Sequence, residues 1–172
     1  GQNSSQQSRL DLLTQAFLSA NTQIFTDEET ALSGSMGTTC TVANILEKTL
    51  FIAHAGDSRA YLLRAHKLEQ LTTDDSWVME QVVLGNITED QARFHPSRNI
   101  ITQALGIRQD VDIETLSLNL NPNDRILLCS DGLTGLVEDT EIKRILMENS
   151  LENAANRLID TAKSLGGNDN IT

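Results

Sequence analysis

The chain has 172 residues, 39% of them hydrophobic, and a formal net charge of −11. This length is enough for one domain with its own core. The acidic balance argues against nucleic-acid binding, which needs basic surfaces to displace counterions, and against attraction to anionic membranes. The sequence has neither an apolar run of about 18 residues, as a membrane span needs, nor an opening signal-peptide pattern.

Two cysteines, Cys40 and Cys129, lie inside apolar, strand-like runs. Two cysteines in a chain of this length do not form a disulfide framework, and no CxxC pair indicates a zinc site. We therefore expect buried free thiols in a reducing compartment.

The first half of the chain predicts a helix followed by two hairpins. Apolar residues recur at helical spacing over residues 8–29, after a polar start that we expect to be frayed. Residues 38–46 and 49–56 then predict two strands around a tight turn at Glu47-Lys48. A second hairpin is predicted over residues 60–72, with its turn near Ala65-His66.

The second half predicts short helices, two strands and a closing helix pair. One helix should end at Gly85, and Thr88 with Gln91 forms a plausible capping box for the next. Residues 99–106 are a strand-like run, and 125–130 should pair back on the two-faced strand 111–120. The last helices carry apolar residues at Ile142, Ile145 and Leu146, and at Leu151, Ala155, Leu158, Ile159 and Ala162, before a stop at Gly166-Gly167.

Strands dominate the middle of the chain without regular βαβ alternation, and helices flank them at both ends. No internal repeat or low-complexity linker interrupts the pattern. The sequence therefore predicts a single α+β domain with largely antiparallel sheet.

Three aspartates stand at element ends where a metal ion could be held: Asp131 after a buried strand, Asp169 in GGNDN and Asp74 in LTTDDSW. A carboxylate at the end of a buried strand is costly without a positive partner, and Mg²⁺ and Mn²⁺ prefer oxygen ligands. Taken singly, each aspartate is better explained without a metal: Asp131 as a turn acid, Asp169 as an ordinary loop or N-cap residue, and Asp74, like Asp75 or Ser76, as a helix cap. The residues alone leave both interpretations open.

Six blocks in order make the sequence resemble the metal-dependent serine/threonine protein phosphatases of the type 2C class, especially the bacterial ones. The blocks are GTTC (37–40), GDSRAY (56–61), LTTDDS (71–76), NIITQALG (99–106), SDGLTGLVED (130–139) and GGNDNIT (166–172). The resemblance implies two packed antiparallel β-sheets flanked by helices, an αββα sandwich. Residues 1–172 would be a single partial catalytic domain, incomplete at both termini.

The resemblance also implies a site and a reaction. Asp131 and Asp169 match ligands of a binuclear Mn²⁺ or Mg²⁺ centre, and Asp74 matches an aspartate that, with Asp131, holds a third ion. A metal-activated water would hydrolyse phosphoserine or phosphothreonine in proteins, with no catalytic residues beyond the metal ligands. Residues 75–98 match the flap, whose polar residues Ser76, Arg93, His95 and Arg98 are candidates for substrate handling. The implied partners are phosphoprotein substrates of Ser/Thr kinases in the cytoplasm.

The sequence departs from the family pattern at both ends. No Asp-Gly-x-Gly-Gly-His motif, which supplies the metal-bridging aspartate, precedes the first helix, and the last strands are missing. We expect either a piece of a longer protein or a truncation. A truncated chain should hydrolyse poorly and could oligomerise or exchange strands through exposed sheet edges. The alternative function is a catalytically inactive phosphatase-like module that binds a phosphoprotein or kinase, although the three retained aspartates speak against it.

Smaller features also leave alternatives open. Asp75 stands where many relatives have histidine, and it could raise cation affinity or face solvent. His54 is expected to pack in the core rather than at the site, and His66 and His95 are expected to be exposed. Asp57 and Arg59 are expected to be structural.

Overall fold

The computed structural model describes residues 2–27, 36–167 and 169–172, without the side chains of residues 2–5. The chain divides into two compact units, residues 1–57 with 73–120 and residues 58–72 with 121–172. The helices are α1 (Gln2–Thr26), α2 (Trp77–Val83), α3 (Glu89–Arg93), α4 (Asp131–Thr134), α5 (Asp139–Glu148) and α6 (Leu151–Ser164). The strands are β1 (Cys40–Leu46), β2 (Thr49–Ala55), β3 (Arg59–Arg64), β4 (Lys67–Gln70), β5 (Glu114–Asn119) and β6 (Arg125–Cys129).

The first unit is organised around the central strand of an antiparallel sheet with the order β1-β2-β5. Strand β2 is buried from Leu50 to Ala55, because it has a neighbour on each side and α1 packs against it. Phe17 of α1 lies in this core. The buried Asn21 amide donates to the carbonyl oxygens of Arg108 and Gln109, so α1 also holds the chain that leads to β5.

The second unit combines an antiparallel sheet, with the order β4-β3-β6, and the last three helices. The core includes side chains of strands and helices alike: Tyr61, Leu63, Cys129, Leu133, Val137, Ile142, Ile145, Leu146, Ala154, Leu158 and Ala162. The Arg125 guanidinium donates to the carbonyl oxygens of Leu146 and Asn149. These two bonds satisfy carbonyls at the end of α5, where the helix itself supplies no donors.

Most of the local predictions are confirmed. The two hairpins turn where predicted, with positive φ at Glu47, Ala65 and His66, as tight hairpin turns require. Thr88 and Gln91 form the predicted capping box of α3. Gly166 and Gly167 follow α6 with φ of 133° and 54°.

Two predictions about elements are wrong, and two features were not predicted. Helix α1 already begins at Gln2, so the polar start is helical rather than frayed. Residues 99–106 form no strand and contribute only isolated bridges, Thr38 with Leu105 and Ser76 with Ile101. The short helix α4 was not predicted. On α6 the inward face includes Ala154 and not Ala155 or Leu151.

The predicted pairing of residues 125–130 with 111–120 is also wrong. Strand β5 pairs with β2, whereas β6 pairs with β3. The connection is shaped by Asp124, whose carboxylate accepts from the Asn121 amide at 2.8 Å and from the Arg64 guanidinium at 2.6 Å. Because Arg64 ends β3, this contact holds the start of β6 beside β3 instead.

The α+β class is confirmed, with two three-stranded antiparallel sheets accompanied by helices. The single domain predicted from the sequence stays a prediction. Both cysteines are free thiols, with Cys129 buried and Cys40 only half-buried. Among the described residues, no helix is long and apolar enough to cross a membrane.

Two leucines on α6 provide a test of which face points inward. Leu158 is 2% exposed and Leu151 is 68% exposed. We expect Leu158→Ala to lower the free energy of unfolding by about 2–5 kcal/mol, because it leaves a cavity. Leu151→Ala should change it by less than about 0.5 kcal/mol. Denaturant unfolding of the two variants measures both values, and equal losses would contradict this packing.

The Arg64–Asp124 contact predicts a pH-dependent contribution to stability. The hydrogen bond from Arg64 lowers the pKa of Asp124. The contribution should therefore be present above the unfolded pKa of about 3.9 and be lost as pH falls through the lower folded pKa. Asp124→Asn should reduce unfolding free energy at pH 7 and cost progressively less below pH of about 3.9. The control is Glu69→Gln, which removes an exposed partner of Lys67, and a pH-independent Asp124→Asn effect would contradict the assignment.

Candidate metal centre

Asp131 lies where β6 turns directly into α4. The strand ends at the buried Cys129, Ser130 occupies the N-cap position in an extended conformation, and Asp131 is the first helical residue. The Asp131 carbonyl accepts from the Gly135 amide at 2.7 Å. The backbone of Asp131 is thus fixed by a helical turn that the sequence analysis missed.

Ser130 joins the Asp131 segment to the segment after Asp169. Its hydroxyl donates to the Asn170 carbonyl at 3.1 Å and accepts from the Thr172 amide at 3.2 Å. The Ser130 amide also donates to the Thr172 carbonyl at 3.2 Å. We call this contact the Ser130 junction. It brings together the two segments that carry the predicted metal ligands.

Gly132 allows the two segments to approach each other. A Cβ atom placed on Gly132 would lie 2.2 Å from the Asn170 carbonyl oxygen. Such a distance is far below van der Waals contact, so a side chain here would force the segments apart. The sequence signal for this constraint is the glycine of SDG itself.

Asp169 is exposed, and its Oδ1 accepts from the next amide, Asn170, at 2.7 Å. Within residues 2–27, 36–167 and 169–172, no group of three or more His, Cys, Asp or Glu side chains could hold a metal ion. Carboxylate oxygens are the right donors for Mn²⁺ or Mg²⁺. Asp131 and Asp169 therefore supply suitable oxygen donors for part of the coordination shell of a metal ion.

Asp74 belongs to the first unit, at the start of the predicted flap. It is half-buried, and its carbonyl accepts from the Ser76 amide at 2.9 Å. The neighbouring residues are also held: the Thr73 amide donates to the Glu114 carboxylate at 2.8 Å, and the Thr102 amide donates to the Asp75 carbonyl at 2.8 Å.

Asp75 does not simply face solvent. Its carboxylate accepts from the Gly56 amide at 2.8 Å, and its own amide donates to the Gly56 carbonyl at 2.7 Å. Burial raises the pKa of Asp75, and the Gly56 hydrogen bond and nearby His54 oppose that rise. The reciprocal pairing with a glycine 19 residues earlier in the chain was not predicted.

His54 is completely buried, as expected for a core residue, and both of its ring nitrogens have polar neighbours. Nε2 lies 3.0 Å from the Gly56 carbonyl oxygen and 3.1 Å from that of Thr73. Carbonyl oxygens can only accept, so Nε2 carries a proton. Nδ1 lies 2.8 Å from the Thr41 hydroxyl. The imidazole therefore links β1, the end of β2 and the start of the flap.

Two of the predicted flap residues have clear local contacts. Ser76 is 3% exposed and its hydroxyl accepts from the Met79 amide at 3.4 Å, which favours the capping role. The ring of His95 lies 5.0 Å from that of Trp77, between centroids. His95 is half-buried, so its predicted exposure is wrong, whereas His66 is exposed as predicted.

The two flap arginines lie outside this contact. Arg93 is the last residue of α3, and Arg98 is exposed in the turn that follows. The Arg98 amide donates to the His95 carbonyl at 3.1 Å. Arg98 is therefore held next to His95 by a backbone hydrogen bond.

Comparisons with known proteins identify relatives. The family model described as protein phosphatase 2C matches residues 2–80. The chain is 42% identical over 150 residues to the serine/threonine phosphatase stp of Listeria monocytogenes, covering 87% of this chain and 59% of that protein. The chain thus spans about three-fifths of that relative's length.

Solved structures give the same result. The crystal structure of the serine/threonine phosphatase Stp1 from Staphylococcus aureus is 39% identical, with a TM-score of 0.88, over 94% of this chain and 64% of that one. The catalytic domain of the phosphatase PstP, solved in complex with two manganese ions, is 34% identical, with a TM-score of 0.83, over 94% and 68%. The sequence and the fold agree, and the chain belongs to the protein phosphatase 2C family.

Proposed function

We propose that this chain serves the metal-dependent hydrolysis of phosphoserine and phosphothreonine in proteins. The Ser130 junction carries the proposal, because it joins the segments of Asp131 and Asp169 through three hydrogen bonds. The serine/threonine phosphatases among its relatives support the same activity.

Asp131 and Asp169 would hold two Mn²⁺ or Mg²⁺ ions, and Asp74 with Asp131 would hold a third. Their carboxylate oxygens suit hard divalent cations. When bound, such ions supply an acidified water as nucleophile and offset charge on the phosphoryl oxygens. The chain's own contribution is geometric: Ser130 and Gly132 hold the two segments that carry these carboxylates at short range.

The flap, residues 75–98, would handle the substrate. The Trp77–His95 contact packs its two ends against each other, and Arg93 and Arg98 supply positive charge for a phosphorylated side chain. Ser76 would act through the helix that it caps. The proposed partners are phosphoprotein substrates of Ser/Thr kinases in the cytoplasm, and the edge strand β1, with exposed Ile45, could support oligomerisation.

The alternative is a catalytically inactive module that binds a phosphoprotein or a kinase. One observation favours it: the described residues contain no group of three side chains able to hold a metal. Mn²⁺-dependent turnover separates the two functions, since an inactive module would bind a phosphoprotein without releasing phosphate.

Asp131→Asn tests the metal role directly. It removes a charged donor while keeping the shape, so we expect turnover of a phosphopeptide with Mn²⁺ to fall by more than about 100-fold. Even the mutation of a residue that only hydrogen-bonds to a metal ligand typically lowers metal affinity or activity 10–100-fold. Asp110→Asn changes an exposed acid of the same chain and should leave turnover unchanged. Circular dichroism checks that both variants fold, and wild-type turnover in Asp131→Asn would contradict the proposal.

Gly132→Ala tests the close approach at the Ser130 junction. The new Cβ collides with the Asn170 carbonyl, so we expect a loss of about 1–3 kcal/mol in unfolding free energy and weaker Mn²⁺ binding by calorimetry. Gly85→Ala is the matched control. Its Cβ meets nothing within 4 Å, but φ is +73°, so it should lose about 1–2 kcal/mol through backbone strain alone. Equal Mn²⁺ affinity in both variants would contradict the role of Gly132.

A further inference from the structure

We propose that Glu114, His54 and Asp75 form a clamp that fixes the backbone on both sides of Asp74 and so positions that carboxylate. This role rests on the proposed function, in which Asp74 binds a metal ion. The three clamp residues are positioning residues, because their hydrogen bonds to Thr73 and Gly56 hold the protein backbone rather than a substrate.

The first half of the clamp holds Thr73. The Glu114 carboxylate accepts from the Thr73 amide at 2.8 Å and from its hydroxyl at 3.3 Å. On the other side of the residue, Nε2 of His54 donates to the Thr73 carbonyl at 3.1 Å. His54 and Glu114 are direct partners in the β2–β5 register. One cross-strand pair thus satisfies both backbone groups of Thr73.

The second half of the clamp holds Asp75. Its carboxylate and its amide make two reciprocal hydrogen bonds with Gly56. Gly56 is itself fixed, since its φ is +121° and a Cβ there would lie 2.4 Å from Cγ2 of Thr39. The same Nε2 of His54 also lies 3.0 Å from the Gly56 carbonyl. His54 therefore links the two halves.

Asp74 lies between the two held residues. The segment belongs to no strand, so side chains take the place of the ladder partners that hold the backbone of a strand. With Thr73 and Asp75 both fixed, the Asp74 backbone keeps little freedom, and the direction in which its side chain leaves the chain is set. Preorganisation of this kind lowers the entropic cost of binding a cation.

The three clamp residues converge on one short stretch of chain. Glu114 and His54 face each other across β5 and β2 and contact Thr73, whereas Asp75 contacts Gly56, two residues after His54. The group is not a second metal site among the described residues, because its members are used to hold the backbone.

Amide hydrogen exchange of the 172-residue chain without metal tests the clamp. Glu114→Ala should reduce protection of the Thr73 amide, and Asp75→Ala that of the Gly56 amide, each by about tenfold or more, because each amide loses its acceptor. Glu114→Gln and Asp75→Asn keep an acceptor oxygen and should retain most of the protection. Asp110→Ala, in an exposed acid of the same unit, should leave both amides unchanged.

Mn²⁺ titration by calorimetry tests the positioning. We expect the weakest Mn²⁺ site to lose about tenfold in affinity in the two alanine variants, with recovery in the Gln and Asn variants. Unchanged exchange in the alanine variants would overturn the clamp. Increased exchange with unchanged Mn²⁺ affinity would overturn the positioning role and leave a structural contact only.

The proposed function fails by a different result. If Asp131→Asn and the wild-type chain bind Mn²⁺ equally, or neither binds it, the metal role of this chain is wrong, and the positioning of Asp74 for a cation falls with it. The clamp itself is then decided by the exchange experiment alone, because that experiment is carried out without metal.

Discussion

The approach of Gly132 to the Asn170 carbonyl is the constraint on which the candidate metal centre depends. Two segments 40 residues apart meet through a single serine, which uses its hydroxyl and its amide for three hydrogen bonds. No Cβ fits between them. A larger residue at position 132 would keep the local helix α4 but separate the two segments. The helix therefore tolerates a side chain at this position, whereas the site does not.

The start of the flap follows the same principle with different groups. The chain around Asp74 lies outside the strands, so strand neighbours do not supply all of its hydrogen bonds. At Asp74 the bonds come from the side chains of His54 and Glu114 and from Gly56. In both places a glycine lets the backbone come close, and polar side chains then satisfy it. The rigidity of each site comes from the neighbouring sheet rather than from the loop.

The sequence predicts those parts of the fold that are encoded locally. The hairpin at Ala65-His66 and the capping box of Thr88 are set by residues next to each other, and both are confirmed. The pairing of β6 is not local. Strands β5 and β6 follow each other with a turn between them, which is the pattern of a hairpin, but the contact of Arg64 with Asp124 spans 60 residues and no local pattern contains it.

The same limit applies to the candidate site. Asp131 and Asp169 were proposed through the resemblance, since an Asp-Gly or Asn-Asp-Asn pattern alone equally describes a turn. Ser130 as a bridge, and Asp75 as a partner of Gly56, could not be found, because their partners lie 40 and 19 residues away. A cross-strand pair such as His54 with Glu114 becomes predictable only once the register of β2 and β5 is known.

Asp75 and Asp124 show how the partners of a carboxylate decide whether its ionised form stabilises the fold. Arg64 lowers the pKa of Asp124, so this acid stabilises the fold when ionised. Asp75 has an amide instead of a cation as its partner, and burial raises its pKa, so its ionised form costs stability. The carboxylate and the amide of Asp75 both bond to Gly56, so this acid fixes the backbone next to Asp74 rather than forming an ion pair.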